Sequence, residues 1–201
     1  MAISPYQTRT DPYHEPELMC YTSNALRLFV EGLGQLRGGQ ILDVGPACGD
    51  NINFLAPRVR RLFVCDMFIR LDREQRLGLP AQWVWRHLDY SPKNFDGILL
   101  WDLVDHLDNS EVERLRELSR RMLRKSGMAV VVALSQQTIQ PVVNSFVIGD
   151  DYRLSLRPQR HLELPLHIRE NREMLELFAP FIPVRSFIYR NGIREFLFRR
   201  N

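Results

Sequence analysis

Ile41-Leu42-Asp43-Val44-Gly45-Pro46-Ala47-Cys48-Gly49-Asp50 is the stretch whose reading decides the fold. Its apolar start, closed by Asp43, predicts a short buried strand over residues 40–44. Gly45 and Gly49 permit a tight turn and close approach of other groups to the backbone. Residues 51–56 then have helical spacing, with Ile52, Leu55 and Ala56 as the expected apolar side. Strand, small-residue turn and helix make the opening unit of a doubly wound α/β domain, where a ligand sits beyond the carboxyl end of the strand. By itself Gly45-x-x-x-Gly49 suits any tight turn, so the flanking elements must carry the assignment.

Downstream, Arg61 to Cys65 is a second apolar run, closed by Asp66. Residues 68–77 read as a helix, and Gly78-Leu79-Pro80 stops it. A third strand is expected over 82–88, ending in Asp89. Tyr90 to Asn94 is too short for a crossover helix, so this connection should be a turn. A fourth strand is expected over 95–101, followed by Asp102-Leu103-Val104-Asp105-His106-Leu107. Ser110-x-x-Glu113 has the pattern of a capping box at a helix start. Val112, Leu115, Leu118 and Met122 form one face of that helix. Arg124 and Lys125 suit its negative end, and Gly127 its stop. Arg114, Arg116, Arg120 and Arg121 interleave with Glu111, Glu113 and Glu117, as on a solvated outer face. Met128 to Leu134 is apolar throughout and predicts a central strand. Residues 169–178 predict another helix. Two extended runs, 183–190 and 193–200, flank Asn191-Gly192, a signal for a two-residue hairpin.

Upstream, Leu26, Phe29, Leu33 and Leu36 recur at intervals of three and four, predicting a helix within 17–36. Residues 1–16 are polar and turn-rich and read as an N-terminal arm carrying Tyr6 and Tyr13. Residues 136–166, with Pro141, Gly149, Pro158 and Pro165, read as an irregular excursion above the sheet. The 201 residues, 45% hydrophobic, suit one domain over 1–201. A net charge of +3 gives no reason to expect nucleic acid or an anionic membrane as partner. No run reaches transmembrane length. Cys20, Cys48 and Cys65 fit no metal spacing, and a reduced, cytoplasmic protein without a metal is the expectation.

The terminal hairpin separates candidate folds, because it makes the last strand antiparallel to an otherwise parallel sheet. From about residue 38 to 200 the chain resembles the class I methyltransferases that use S-adenosylmethionine. Asp43 through Gly49 matches the family's glycine-rich turn, Asp66 and Asp89 its acidic strand ends, and Phe95-Asp96 through Asp105-His106-Leu107 its fourth-strand motif. The resemblance implies a doubly wound seven-stranded sheet in the order 3-2-1-4-5-7-6 with strand 7 antiparallel. It implies that Gly45, Pro46 and Ala47 approach the methionine part of the cofactor, with Asp43 positioning the turn. Asp66 would accept both ribose hydroxyls, Met67 would pack on adenine, and Asp89, beside Tyr90, would accept from the adenine amino group. As plain structure, Asp66 would be a helix N-cap and Asp89 a turn residue. Trp101 would lie beside the methionine end. His106 would be the base for an acceptor that must lose a proton, or else a histidine packing its loop. The family usually has glycine where Ala47 stands, so the turn tolerates alanine only at an ordinary φ.

The implied activity is methyl transfer to a small-molecule acceptor. The alternative is a non-catalytic, degenerate partner subunit of the same fold, and a nicotinamide-dependent oxidoreductase is disfavoured by the hairpin. The arm and the excursion are expected to act as a lid. The excursion could equally cover a sheet edge or make a homodimer contact.

Overall fold

The computed structural model describes residues 19–34, 39–135 and 142–201. The expectations for the N-terminal arm with Tyr6 and Tyr13, for Leu36 and for residues 136–141 lie outside the described residues. In chain order the elements are β1 (Cys20–Thr22), α1 (Asn24–Gly34), β2 (Gln40–Asp43), α2 (Gly49–Leu55), β3 (Arg61–Val64) and α3 (Met67–Arg76). A 3-10 segment over Ala81–Leu88 leads to β4 (Phe95–Leu99), and a second over Trp101–His106 leads to α4 (Asn109–Met122). Then come β5 (Leu123–Leu134), β6 (Asn144–Ile148), β7 (Arg153–Pro158), α5 (Asn171–Leu177), β8 (Ile182–Ile188) and β9 (Ile193–Arg199).

Among the described residues the main sheet has six strands, in the order β3-β2-β4-β5-β9-β8. Strands β3, β2, β4 and β5 pair in parallel, and β9 runs antiparallel to both its neighbours. The reversed strand therefore lies where the hairpin required it. The strand expected over 82–88 is not formed, and the sheet ends at β3. Residues 81–88 instead form a 3-10 segment that buries Val84, Trp85 and Leu88. It is held beside the start of α3, with Cys65 Sγ 3.6 Å from His87 O and Arg70 Nη1 2.9 Å from His87 Nδ1. Residues 90–94 then return the chain to β4 through a turn, with Lys93 at φ 56°.

With that strand missing, α3 becomes the crossover between β3 and β4. Met67 and Phe68 pack with residues of α4 and α5 on one face of the sheet, as a right-handed connection requires. The opposite face carries α1 and Leu55 of α2. Phe29 of α1 lies so close over β4 that a Cβ on Gly97 would come within 2.3 Å of its ring. Burying such a phenylalanine contributes roughly 2–3 kcal/mol.

The expected excursion is more regular than its prolines suggest. Strands β6 and β7 form an antiparallel sheet with β1, in the order β1-β7-β6. It packs on the α1 side through Phe146, Ile148, Leu154 and Leu156. Three local expectations are corrected. The capping box is Asp108 with Glu111, two residues before the predicted pair. The helix it starts ends at Met122, so Arg124 and Lys125 belong to β5. The hairpin loop has three residues: Tyr189 N–H donates to Ile193 O and Gly192 N–H to Tyr189 O, with Gly192 at φ 83°. That is a type I turn followed by a left-handed glycine.

Candidate functional site at the carboxyl end of the sheet

Asp43, the last residue of β2, organises the turn that follows. Its Oδ1 accepts from Gly45 N–H at 3.1 Å and from Trp101 Nε1–H at 2.6 Å. Burial raises the Asp43 carboxyl to about 6, against the lowering effect of these two donors. As expected, Asp43 holds the turn and points at no open space. The indole of Trp101 lies against Gly45, where a Cβ would meet Cδ1 at 2.2 Å. Glycine is thus required at 45 by close approach, while its φ is ordinary. Ala47 is also absent from the positive-φ positions, so alanine suits the turn. Pro46 is buried and Ala47 exposed.

Asp66 caps α3, Oδ1 accepting from Ile69 N–H at 3.1 Å, while Oδ2 accepts from Ala47 N–H at 3.1 Å. The N-cap expectation is therefore realised, and the same carboxylate ties the turn to the carboxyl end of β3. Each oxygen retains a lone pair, and the residue is half-buried, so a diol can still reach it. This half of the site fits a nucleoside.

The remaining expectations for the cofactor do not hold geometrically. Met67 is fully buried in the α3–α4–α5 core and presents no surface to an adenine. Asp89 forms an ion pair with Arg121 at 2.6 Å, its side chain 70% exposed. Arg121 is at the end of α4, and Lys93 and Asn94 N–H donate to Arg121 O and Met122 O. The Asp89 carboxylate is therefore directed to the amino end of the sheet, away from the turn. Tyr90 packs its ring on Phe63 and Phe95. Trp101 does stand beside the turn, but its ring is buried and stacked on Phe146 of β6 at 5.6 Å. Its φ of 44° is unusual for a residue with a side chain.

His106 lies inside the protein, beneath a pocket of about 230 Å³ that it lines with Val84, Glu111, Leu164 and Pro165. Its ring has no exposed surface; Nδ1 is 2.8 Å from Pro165 O, and Nε2 is 3.8 Å from Asp102 Oδ2. Burial pulls its pKa down, but the neighbouring Asp102 carboxylate and the bond to Pro165 O push it above the usual value. Nearby Asp105 accepts from Leu134 N–H at 2.6 Å, and burial raises it to about 7. This is the packed-loop reading of His106. Among the described residues no group of three metal-ligating side chains occurs.

Two contributors escaped the sequence reading. Asn51 is buried in α2, donating to Phe146 O and accepting from Ile148 N–H, both at 2.8 Å, so it docks β6 beside Trp101. Glu195, in the middle of β9, accepts from Tyr21 and Tyr189 hydroxyls and from Ala25 N–H. Neither had a local signal: Asn51 lies in a short polar-started helix, and Glu195 in a strand that also carries Arg194.

A comparison with protein-family models finds no match, and neither does one with curated proteins. Solved structures do match. An S-adenosylmethionine-dependent methyltransferase from Mesorhizobium loti superposes with a TM-score of 0.54 at 14% identity, over 81% of this chain and 91% of that one. One from Methanosarcina mazei gives 0.52 at 14%, over 81% and 92%. A protein from Pyrococcus horikoshii OT3 gives 0.52 at 15%, over 89% and 92%. The fold is that of the S-adenosylmethionine-dependent methyltransferases. Within that fold the six-stranded sheet here lacks one edge strand of the expected seven and adds a small antiparallel sheet.

Proposed function

We propose that the protein binds S-adenosylmethionine and transfers its methyl group to a small-molecule acceptor. The observation that carries this reading is Asp66, a half-buried carboxylate at the end of β3, bonded to Ala47 of the turn. Asp66 would accept the ribose hydroxyls, and the Gly45–Ala47 backbone would line the methionine part. A sulfonium supplies an already activated methyl group, so the chain's task is to hold the acceptor in line with it. His106, enclosed by Asp102 and Pro165, supports the loop after β4 and does not act as the base in this reading.

A second reading, a non-catalytic partner subunit, draws on a specific observation. The Trp101 indole covers Gly45, and the strand that would bring Asp89 to an adenine is absent. Calorimetry with S-adenosylhomocysteine on the full chain tests the first reading. Asp66→Ala should weaken binding by about 2 kcal/mol, some thirtyfold, through loss of charge-assisted hydrogen bonds. Equal affinity in the two proteins would remove Asp66 from the site, and no binding by the native chain would remove the cofactor. Transfer of labelled methyl groups into a small-molecule extract then separates an enzyme from a binding subunit.

A further inference from the structure

Arg194 is a buried cation in search of an anion. It is the second residue of β9, opposite Ala133 of β5, and is 5% exposed. Nη1 donates to Asn171 Oδ1 at 3.0 Å and Nη2 to Leu134 O at 2.5 Å, while the buried Nε has no partner among the described residues. Among the described residues the acidic group that bears on it electrostatically is Asp105. Burial raises Asp105 to about 7, so much of that charge is missing near neutral pH. A guanidinium stays protonated in any such setting, and a buried charge without a counter-charge is costly.

Arg194 lines an open cavity of about 410 Å³ with Ser135, Ile168, Arg169, Arg172 and Ile188. Arg169 is committed to the carbonyls of Val104 and Leu107, at 2.6 Å each. Arg172 is exposed and ion-paired with Glu176 at 2.8 Å, and Arg169 Nε lies 3.8 Å from Glu173. Glu170 is the acid in the lining, so the positive charge of the cavity that makes no ion pair among the described residues is that of Arg194. The isoleucines give it an apolar flank, and Ser135 a hydroxyl.

The geometry points to this cavity as a binding site for the oxyanion, carboxylate or phosphate, of a small organic molecule. Arg194 supplies the buried charge, Arg172 and Ser135 the outer donors, and Ile168 and Ile188 meet the apolar part. Ser135 follows the carboxyl end of β5, the same end of the sheet as the Gly45 turn. Three strand spacings separate β2 from β9, which carries Arg194, about 14 Å, a span that one extended small molecule covers. In the step that makes this ligand the methyl acceptor, the inference rests on the reading above; the anion site itself does not.

The test is calorimetry on the full chain with sodium benzoate and, separately, inorganic phosphate. At least one should bind in the millimolar range, and which one does tells carboxylate from phosphate. Arg194→Gln should weaken it about tenfold or more, the loss of a charge-assisted contact. Arg172→Glu, on an exposed side chain that leaves the fold intact, should weaken it at least about threefold, and it carries the test if Arg194→Gln fails to fold. Affinity unchanged in the folded variants, or no binding of either probe, overturns the proposal. S-adenosylhomocysteine titrated into the same samples keeps the two readings apart. Probe binding without cofactor binding removes methyl transfer and leaves the anion site; the reverse removes only the anion site.

Discussion

Trp101 is held at a φ of 44° by what its ring does. A side-chain-bearing residue in that region costs on the order of 1–3 kcal/mol. The 2.6 Å bond from Nε1 to buried Asp43 and the stack on Phe146 offset that cost. Gly45 is the third member of the arrangement, because only a hydrogen fits beneath the indole. Gly45→Ala should therefore displace the ring, break its bond to Asp43 and destabilise the protein by about 1–3 kcal/mol, as overpacking does. Urea unfolding followed by tryptophan fluorescence reads both effects, and an unchanged midpoint would show that the ring swings aside freely. The residue types of this cluster were legible in the sequence: Asp43 as the organiser of the turn and Trp101 as its neighbour. That the indole covers Gly45, and does not stand clear of it, depends on Phe146, which lies forty-five positions away and reaches the site only through the small sheet.

Among the elements, the segment from Asp66 to Phe95 departs furthest from expectation. Asp66 caps α3, as its plain structural reading required, and also accepts from Ala47 N–H of the turn. Asp89 matches the same kind of motif, yet it follows a 3-10 segment and reaches Arg121 at the opposite end of the sheet. What overrules the motif is a set of contacts distant in sequence, His87 with Cys65 and Arg70, which hold the segment as a 3-10 turn beside α3. Asp89→Ala is accordingly expected to leave S-adenosylhomocysteine affinity unchanged and to cost no more than about 0.5 kcal/mol of stability, as for other exposed ion pairs. Calorimetry on Asp89→Ala beside Asp66→Ala checks this. A loss of affinity from Asp89→Ala would restore Asp89 to the site and require residues 82–88 to rearrange.

Across the whole molecule, the loops after β4 and β5 enclose acids that the fold prefers protonated. Burial raises Asp43 to about 6 and Asp105 to about 7. The folded protein keeps these protons over a range where the unfolded chain has released them. Their contribution to stability is therefore complete below about pH 4, declines as pH rises through 6 and 7, and is constant above. Asp108 works in the opposite direction: the Glu111 and Ser110 donors hold it below the usual range, so its contribution is lost in acid. Asp105→Asn keeps an acceptor for Leu134 N–H but has no proton to lose. Its stability relative to the native chain should rise between pH 4 and pH 8 by about 2–4 kcal/mol. Urea midpoints across that range decide it; a constant difference would mean that Asp105 is charged in the folded state throughout.

The sequence by itself determined the α/β alternation, the turn after β2, the antiparallel last strand and the carboxylate at the end of β3. Each of these follows from local patterns: apolar runs, small residues at a turn, Asn-Gly between extended segments. Only the tertiary structure decided how many strands the sheet holds, which acids face the carboxyl end, that Trp101 lies on Gly45, and that Arg194 is buried with no ion pair among the described residues. These depend on where the chain runs after each turn, and on contacts such as Arg194 with Leu134 and Asn171, or Asn51 with β6, between residues far apart in sequence. A local pattern specifies what a segment can form, whereas the burial of a polar group depends on which other segments pack over it.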